Sequence, residues 1–141
     1  MSRRVLVPLT NSTLAMRALE YALDEWPTAD LTAIHVIDPH DAIYGAGIED
    51  VSGAEAWYEA EREAAETLFD RAASSAAAVG VDLQTETVVG DPSREIVRYV
   101  DSDIDHVVMG SHGRDGLARL ALGSVAEQVV RRADATVTVV R

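Results

Sequence analysis

The sequence predicts an α/β protein with a parallel sheet, and three observations carry that prediction. Short segments rich in Val, Ile and Leu alternate with segments of helical period, the pattern of β-α-β units. The 141 residues, 48% of them hydrophobic, suffice for one domain over 1–141 with a core on both faces of a sheet. No repeat or low-complexity tract interrupts the alternation.

Five strands are expected, at residues 3–9, 30–37, 82–89, 105–109 and 136–140. Between the first two, Ala15, Ala18, Leu19, Ala22, Leu23 and Trp26 fall three or four apart and form one apolar helical stripe, ended by Pro27 and Asp30. The longest helix is expected over about 52–79, with Trp57, Ala64, Leu68, Ala72, Ala76 and Val79 on one face and Gly80 as its C-terminal stop. A third helix starts at Asp91-Pro92, because Asp caps free amides and Pro is tolerated at the first helical position; Ile96, Val97 and Val100 give its buried side. The fourth starts near Ser124, where Ser124 and Glu127 have the spacing of a capping box, followed by Val129, Val130 and Ala133. The long loop at 38–53, with Gly45 and Gly47, is the expected flap.

Composition excludes several classes. The chain has 24 Asp and Glu against 12 basic residues, all of them Arg, for a net charge of −12. Nucleic acid and anionic membranes are therefore not expected partners, since both are bound by cations that neutralise phosphate. Like charge at this density is screened only in concentrated salt, where the Debye length shrinks to about 3 Å, so a halophilic source such as a haloarchaeon is expected. Without Cys there is no thiol chemistry. No run approaches the roughly 20 apolar residues that cross a bilayer, and Met1-Ser2-Arg3-Arg4 leads into a strand, so the expected location is the cytoplasm.

The segment from Gly110 through Gly113 to Gly123-Ser124 reads G-x2-G-x9-G-S and lies between the fourth strand and the last helix. Gly110 and Gly113 let the backbone turn and approach a ligand, and Gly123 and Ser124 place a helix N-terminus beside it, a combination suited to phosphate. The same glycines would also serve as plain turns, with Ser124 as a simple cap. A Walker A loop and a response-regulator receiver both need Lys, and a Rossmann dinucleotide loop is absent after the first strand, where Val7-Pro8-Leu9-Thr10-Asn11-Ser12 stands. No nucleophile is paired with a base and no acid pair stands out, so no catalytic residue is assigned and slow ATP hydrolysis is the most that is expected. The Asp38-Pro39-His40-Asp41 cluster reads as solvated acids and no metal site is assigned. His35 and His106 read as satisfied structural histidines. His112 either bonds a phosphate or stands as an exposed loop residue, and Arg114 and Arg119 either approach the phosphates or are solvated.

The glycine loop, Val7-Pro8 followed by Ser12, His35-Val36-Ile37-Asp38 and Gly90-Asp91-Pro92 together resemble the universal stress protein family nearly end to end. The loop is the most specific part and resembles the ATP-binding subgroup. The resemblance implies a three-layer Rossmann-like fold, a five-stranded parallel sheet in order 3-2-1-4-5 with four flanking helices, and a homodimer joined through the last strand, where Val137, Val139 and Val140 are apolar. It implies a nucleotide-dependent regulatory or protective stress-response protein that binds ATP, ADP or AMP, with any Mg2+ arriving on the phosphates, and that is read by an unidentified protein partner. Carried over position by position, Gly110, His112, Gly113, Gly123, Ser124 and Val125 surround ribose and phosphates, and Pro8, Val36 and Met109 line the adenosine side. Thr10 and Asn11 replace the Asp and Gly usual after the first strand, so Thr10 offers one hydroxyl where the family has a carboxylate. Two alternatives stay open: a dimeric interaction scaffold of the same fold without nucleotide, and a small enzyme acting on adenine nucleotides.

Overall fold

A computed structural model describes residues 2–112 and 122–141. Its elements are β1 (Arg4–Pro8), α1 (Thr13–Glu25), β2 (Asp30–Ile37), a π-helical turn (Asp41–Gly45), α2 (Val51–Ala78), β3 (Leu83–Val89), α3 (Pro92–Val100), β4 (His106–Gly110), α4 (Ser124–Arg132) and β5 (Thr136–Val140). The strands form one sheet in the order β3-β2-β1-β4-β5, every pairing parallel. This is the expected fold, and each strand begins and ends within a residue of its expected bounds.

Strand alternation sends side chains to two cores. Val5, Val7, Ala33 and Val108 pack with Ala18, Leu19 and Ala22 of α1 and Leu68, Ala72 and Ala76 of α2 on one face. Leu6, Ile34, Val107 and Met109 pack with Ile96 and Val100 of α3 and Ala126 and Val129 of α4 on the other. Val5, Leu6 and Val7 of the central strand β1 are fully enclosed, as an uninterrupted Val-Leu-Val run requires.

The helices need corrections in detail. In α2 the buried residues are Ala65, Leu68, Phe69, Ala72 and Ala76, whereas Ala64 is exposed, Val79 is 59% exposed and Trp57 is half-buried against Tyr58. A helix of 28 residues is about 42 Å long, well beyond strands of five to eight residues, so its first turns overhang the sheet and only its second half packs. Val130 of α4 likewise points outward, and Ala126 takes the buried place. The expected flap over 38–53 is shorter: it contains the π-helical turn, which buries Ala42, and ends at Asp50, whose carboxylate accepts the Gly53 amide and caps α2. Gly80, at φ +74, follows α2 and lets the Val81 amide reach back to the Ala76 carbonyl at 2.9 Å. Asp91 caps α3 as expected, accepting the Arg94 amide at 3.0 Å.

His106 is structural, as expected. Its Nε2 lies 2.7 Å from Thr138 Oγ1 on β5, and its ring sits 4.5 Å from that of Trp26. Burial, and secondarily the Arg3 guanidinium, hold its pKa below the ordinary 6.5. The fold therefore prefers the neutral ring. As pH falls through 6.5 the unfolded chain takes up a proton that the folded chain refuses until its own lower pKa, and stability is lost across that window. Between about pH 7.5 and about pH 5 the unfolding free energy of the wild type should fall more steeply than that of His106→Gln. Parallel curves would show that His106 carries no such linkage.

Candidate functional site

In this strand order β1 and β4 are neighbours whose following helices pack on opposite faces, α1 on one and α4 on the other. A crevice opens beyond the carboxyl ends of strands at such a switch point because the chains diverge there. A cleft of about 550 Å³ occupies it. Pro8 and Thr10 at the end of β1, Val36 on β2, and Met109, Gly110 and His112 at the end of β4 all line it. Gly123, Ser124 and Val125 close it from the α4 side. The structure thus brings together every expected site residue but one: Gly113 lies outside the described residues, as do Arg114 and Arg119.

The α4 bank differs from what a capping box predicts. Gly123, not Ser124, is the N-cap, and no side chain among the described residues bonds the first-turn amides. Ser124 is already helical, and Glu127 pairs with Arg131 at 3.0 Å instead of reaching back. The other three helices are each capped by a side chain, Ser12 for α1, Asp50 for α2 and Asp91 for α3. Among the described residues and the four α-helices, only α4 leaves its first-turn amides and their positive partial charge without a side-chain partner, and it does so beside the cleft, where an anion is stabilised.

Two glycines at this end of the sheet sit at close approaches. A Cβ on Gly123 would stand 3.0 Å from the Ser111 carbonyl oxygen, which accepts the Gly123 amide at 2.7 Å. Ser111 in turn donates its amide to the Val140 carbonyl at 2.8 Å, tying the start of the loop to β5. At Gly110 a Cβ would meet the Leu14 Cβ at 3.0 Å and its carbonyl carbon at 3.1 Å, so this glycine serves the packing of β4 under α1.

The opposite bank offers main chain. Alternate residues of a parallel strand turn their amide and carbonyl to the same neighbour. The Ile34 carbonyl accepts the Leu9 amide of the β1 side at 2.8 Å, and the Ile37 carbonyl accepts the Gly90 amide of the β3 side at 2.9 Å. Val36 therefore faces the β1 side, where the paired register has ended at Pro8 opposite Ile34. Neither the Leu9 carbonyl nor the Asn11 amide, which a longer ladder would bring to it, bonds Val36. Among the described residues, a donor and an acceptor three bonds apart thus open on the cleft.

Thr10 is committed locally: its hydroxyl donates to Ser12 Oγ at 3.0 Å, and Ser12 Oγ accepts the Ala15 amide at 3.1 Å. Polar residues that were not expected also line the cleft, Ser111, Asp38, Asp41 and His35 among them. Ser111 is buried with its hydroxyl 3.2 Å from His112 Nδ1. Asp38 bonds the His40 amide at 2.9 Å. His35 is satisfied, with Nδ1 2.8 Å from the Leu9 carbonyl, yet also lines the cleft. Their only signal in the sequence is adjacency to residues already singled out. Among the described residues no three of His, Asp and Glu gather as a metal site.

A sheet wound on both faces with its crevice at the β1/β4 switch defines a Rossmann-like α/β protein. A sequence model of the universal stress protein family matches residues 1–141, and the chain belongs to that family. Universal stress protein MJ0531 of Methanocaldococcus jannaschii is 30% identical over 142 residues, spanning 99% of this chain and 82% of the relative. Universal stress protein UspA from Lactobacillus plantarum superposes with a TM-score of 0.84 at 26% identity, over 99% of this chain and 97% of that one. A universal stress protein in complex with cAMP superposes with a TM-score of 0.67 at 25% identity, over 99% of this chain and 97% of that one.

Proposed function

We propose that this chain binds an adenine nucleotide in the β1/β4 cleft and acts as a nucleotide-dependent regulatory or protective module in stress response. The observation that carries the reading is the pairing of two banks: the uncapped N-terminus of α4 with Gly123 on one side, and the open Val36 amide and carbonyl on the other. The first suits phosphate. The second suits the edge of adenine, whose N1 accepts and whose N6 amino group donates. A structural relative in complex with cAMP supports the ligand class.

In this reading Pro8, Val36 and Met109 hold the base, Thr10 lies near the ribose, and Gly110, His112, Gly113, Gly123, Ser124 and Val125 surround ribose and phosphates. ATP, ADP and AMP are all candidates, with Mg2+ carried in by the phosphates. Titration with the three nucleotides and adenosine at high KCl tests it, together with mass spectrometry of protein denatured directly after purification. No binding and no co-purified nucleotide would favour the interaction scaffold. ATP turnover above a slow background would favour the enzyme.

We further propose a homodimer through β5, supported by its place at a sheet edge and by a five-residue strand without charge. The other edge, β3, has Glu86 at its centre, and a symmetric antiparallel pair would set that carboxylate against its own copy. The Val140 carbonyl accepts the Ser111 amide on the β4 side, so by alternation the Val139 amide faces the open edge. Val139→Pro removes that amide and should convert dimer to monomer in light scattering; an unchanged mass rules out this strand. No helix among the described residues is long and apolar enough to cross a membrane, and we propose a cytoplasmic location.

The proposed halophilic character has a direct check. Glu55, Glu59, Glu63, Glu66 and Asp70 all stand exposed along α2. Their mutual repulsion, and that of the net charge of −12, is screened by salt. The melting temperature should rise between about 0.1 M and about 2 M KCl. A flat or falling curve removes the proposal.

A further inference from the structure

The β1/β2 ladder stops one bond short of where its own register would carry it. The Leu9 amide donates to the Ile34 carbonyl at 2.8 Å, and in a parallel ladder the Leu9 carbonyl is then due to accept the Val36 amide. His35 holds that carbonyl instead, through Nδ1 at 2.8 Å. A carbonyl oxygen only accepts, so Nδ1 carries the hydrogen and the ring is fixed in that tautomer or doubly protonated.

We infer that His35 is a positioning residue for base recognition: by capturing the Leu9 carbonyl it stops β1 from closing onto Val36, and so keeps the Val36 amide and carbonyl open to the cleft. The inference rests on the nucleotide reading for its ligand, while its geometry stands on the free protein. The chain leaving β1 is held at two points, by His35 at Leu9 and by the Thr10–Ser12–Ala15 relay that caps α1. Between them it cannot follow β2 further. An apolar residue at position 35 releases the first hold, and the Leu9 carbonyl, left without a partner, regains one by accepting the Val36 amide. The ladder gains a bond and the base loses one.

The variants are His35→Leu, which has no donor, His35→Asn, whose amide nitrogen stands where Nδ1 stands, and His35→Gln, whose amide nitrogen stands one bond further out. Amide exchange at Val36 is measured by NMR in protein without nucleotide. Val36 should exchange freely in the wild type and in His35→Asn, and slow by about tenfold or more in His35→Leu as its amide becomes bonded. The second readout is the ratio of affinities for AMP and for 1-deazaadenosine 5′-monophosphate, which carries CH where N1 would accept the Val36 amide. That ratio should be about three to ten in the wild type and in His35→Asn, and should fall toward one in His35→Leu and His35→Gln.

A Val36 amide already protected in the wild type, or exchange and ratio alike in the Asn and Gln variants, would overturn the inference. Comparing Asn with Gln keeps the test valid if His35→Leu fails to fold, since both are polar and close in size. If the wild type binds no adenine nucleotide, the functional reading fails, and the exchange measurements alone decide the role of His35.

Discussion

Gly123→Asp should lower affinity for adenine nucleotides by about a hundredfold or more, with the loss growing with the number of phosphates. Asp50 and Asp91 show what a carboxylate does at the N-cap in this protein, each accepting an amide of its own helix. Aspartate at 123 would occupy the α4 amides in the same way and set a negative charge where the phosphate belongs. The backbone there, at φ −64 and ψ 161, already has the extended geometry of a cap. The added Cβ also meets the Ser111 carbonyl oxygen at 3.0 Å, so Gly123→Ala is the necessary comparison. Alanine carries the steric contact alone and aspartate carries contact and charge, so the difference between them reports competition with phosphate. Calorimetric titration with adenosine, AMP and ATP separates the terms. Adenosine should distinguish Ala from Asp by less than about threefold, and ATP by much more, since charge-assisted bonds are each worth about 1.5–3 kcal/mol. Equal losses for adenosine and ATP would mean that the α4 N-terminus does not hold phosphate.

Gly110→Val should act first on the fold. Its Cβ would lie 3.0 Å from the Leu14 Cβ, 3.1 Å from the Leu14 carbonyl carbon and 3.2 Å from its oxygen. Two of these are backbone atoms in the first turn of α1, which cannot swing aside as a side chain would. Overpacking of this kind costs about 1–3 kcal/mol, and valine adds two methyl groups to the contact, placing it at the upper end; alanine should fall at the lower end. Urea unfolding of both variants measures it. A valine variant within about 0.5 kcal/mol of the wild type would show that α1 yields freely, and Gly110 would then return to the role of clearing space for a ligand.

These two glycines show where sequence reasoning reached and where it stopped. The G-x2-G-x9-G-S spacing located the cleft, and nine of the ten expected residues line it, because a strand, a turn and a helix in that order bring their joints to the same end of a parallel sheet. The spacing did not separate the glycines by task, since what each approaches belongs to another part of the chain: Leu14 for Gly110, Ser111 for Gly123. For a related reason Ser124 is not the cap. The Ser and Glu spacing suits a capping box, but the chain enters α4 with Gly123 bonded to Ser111, and the helix begins one residue earlier than that motif requires.

Two properties follow from the amino-acid order without further help. The alternation of apolar runs with 3.6-residue periods sets the α/β class, and parallel strands buried on both faces need apolar runs such as Val5-Leu6-Val7 of β1 and Val107-Val108-Met109 of β4. The capping of α3 by Asp91 is equally local, three residues wide. What only the tertiary structure decided is which polar groups remain open. A strand's amide is paired or free according to where its neighbour ends, and Val36 is open because the Leu9 carbonyl is held by His35. Leu9 lies 26 residues from that ring along the chain, a separation across which hydrogen bonding leaves no mark in composition, period or motif.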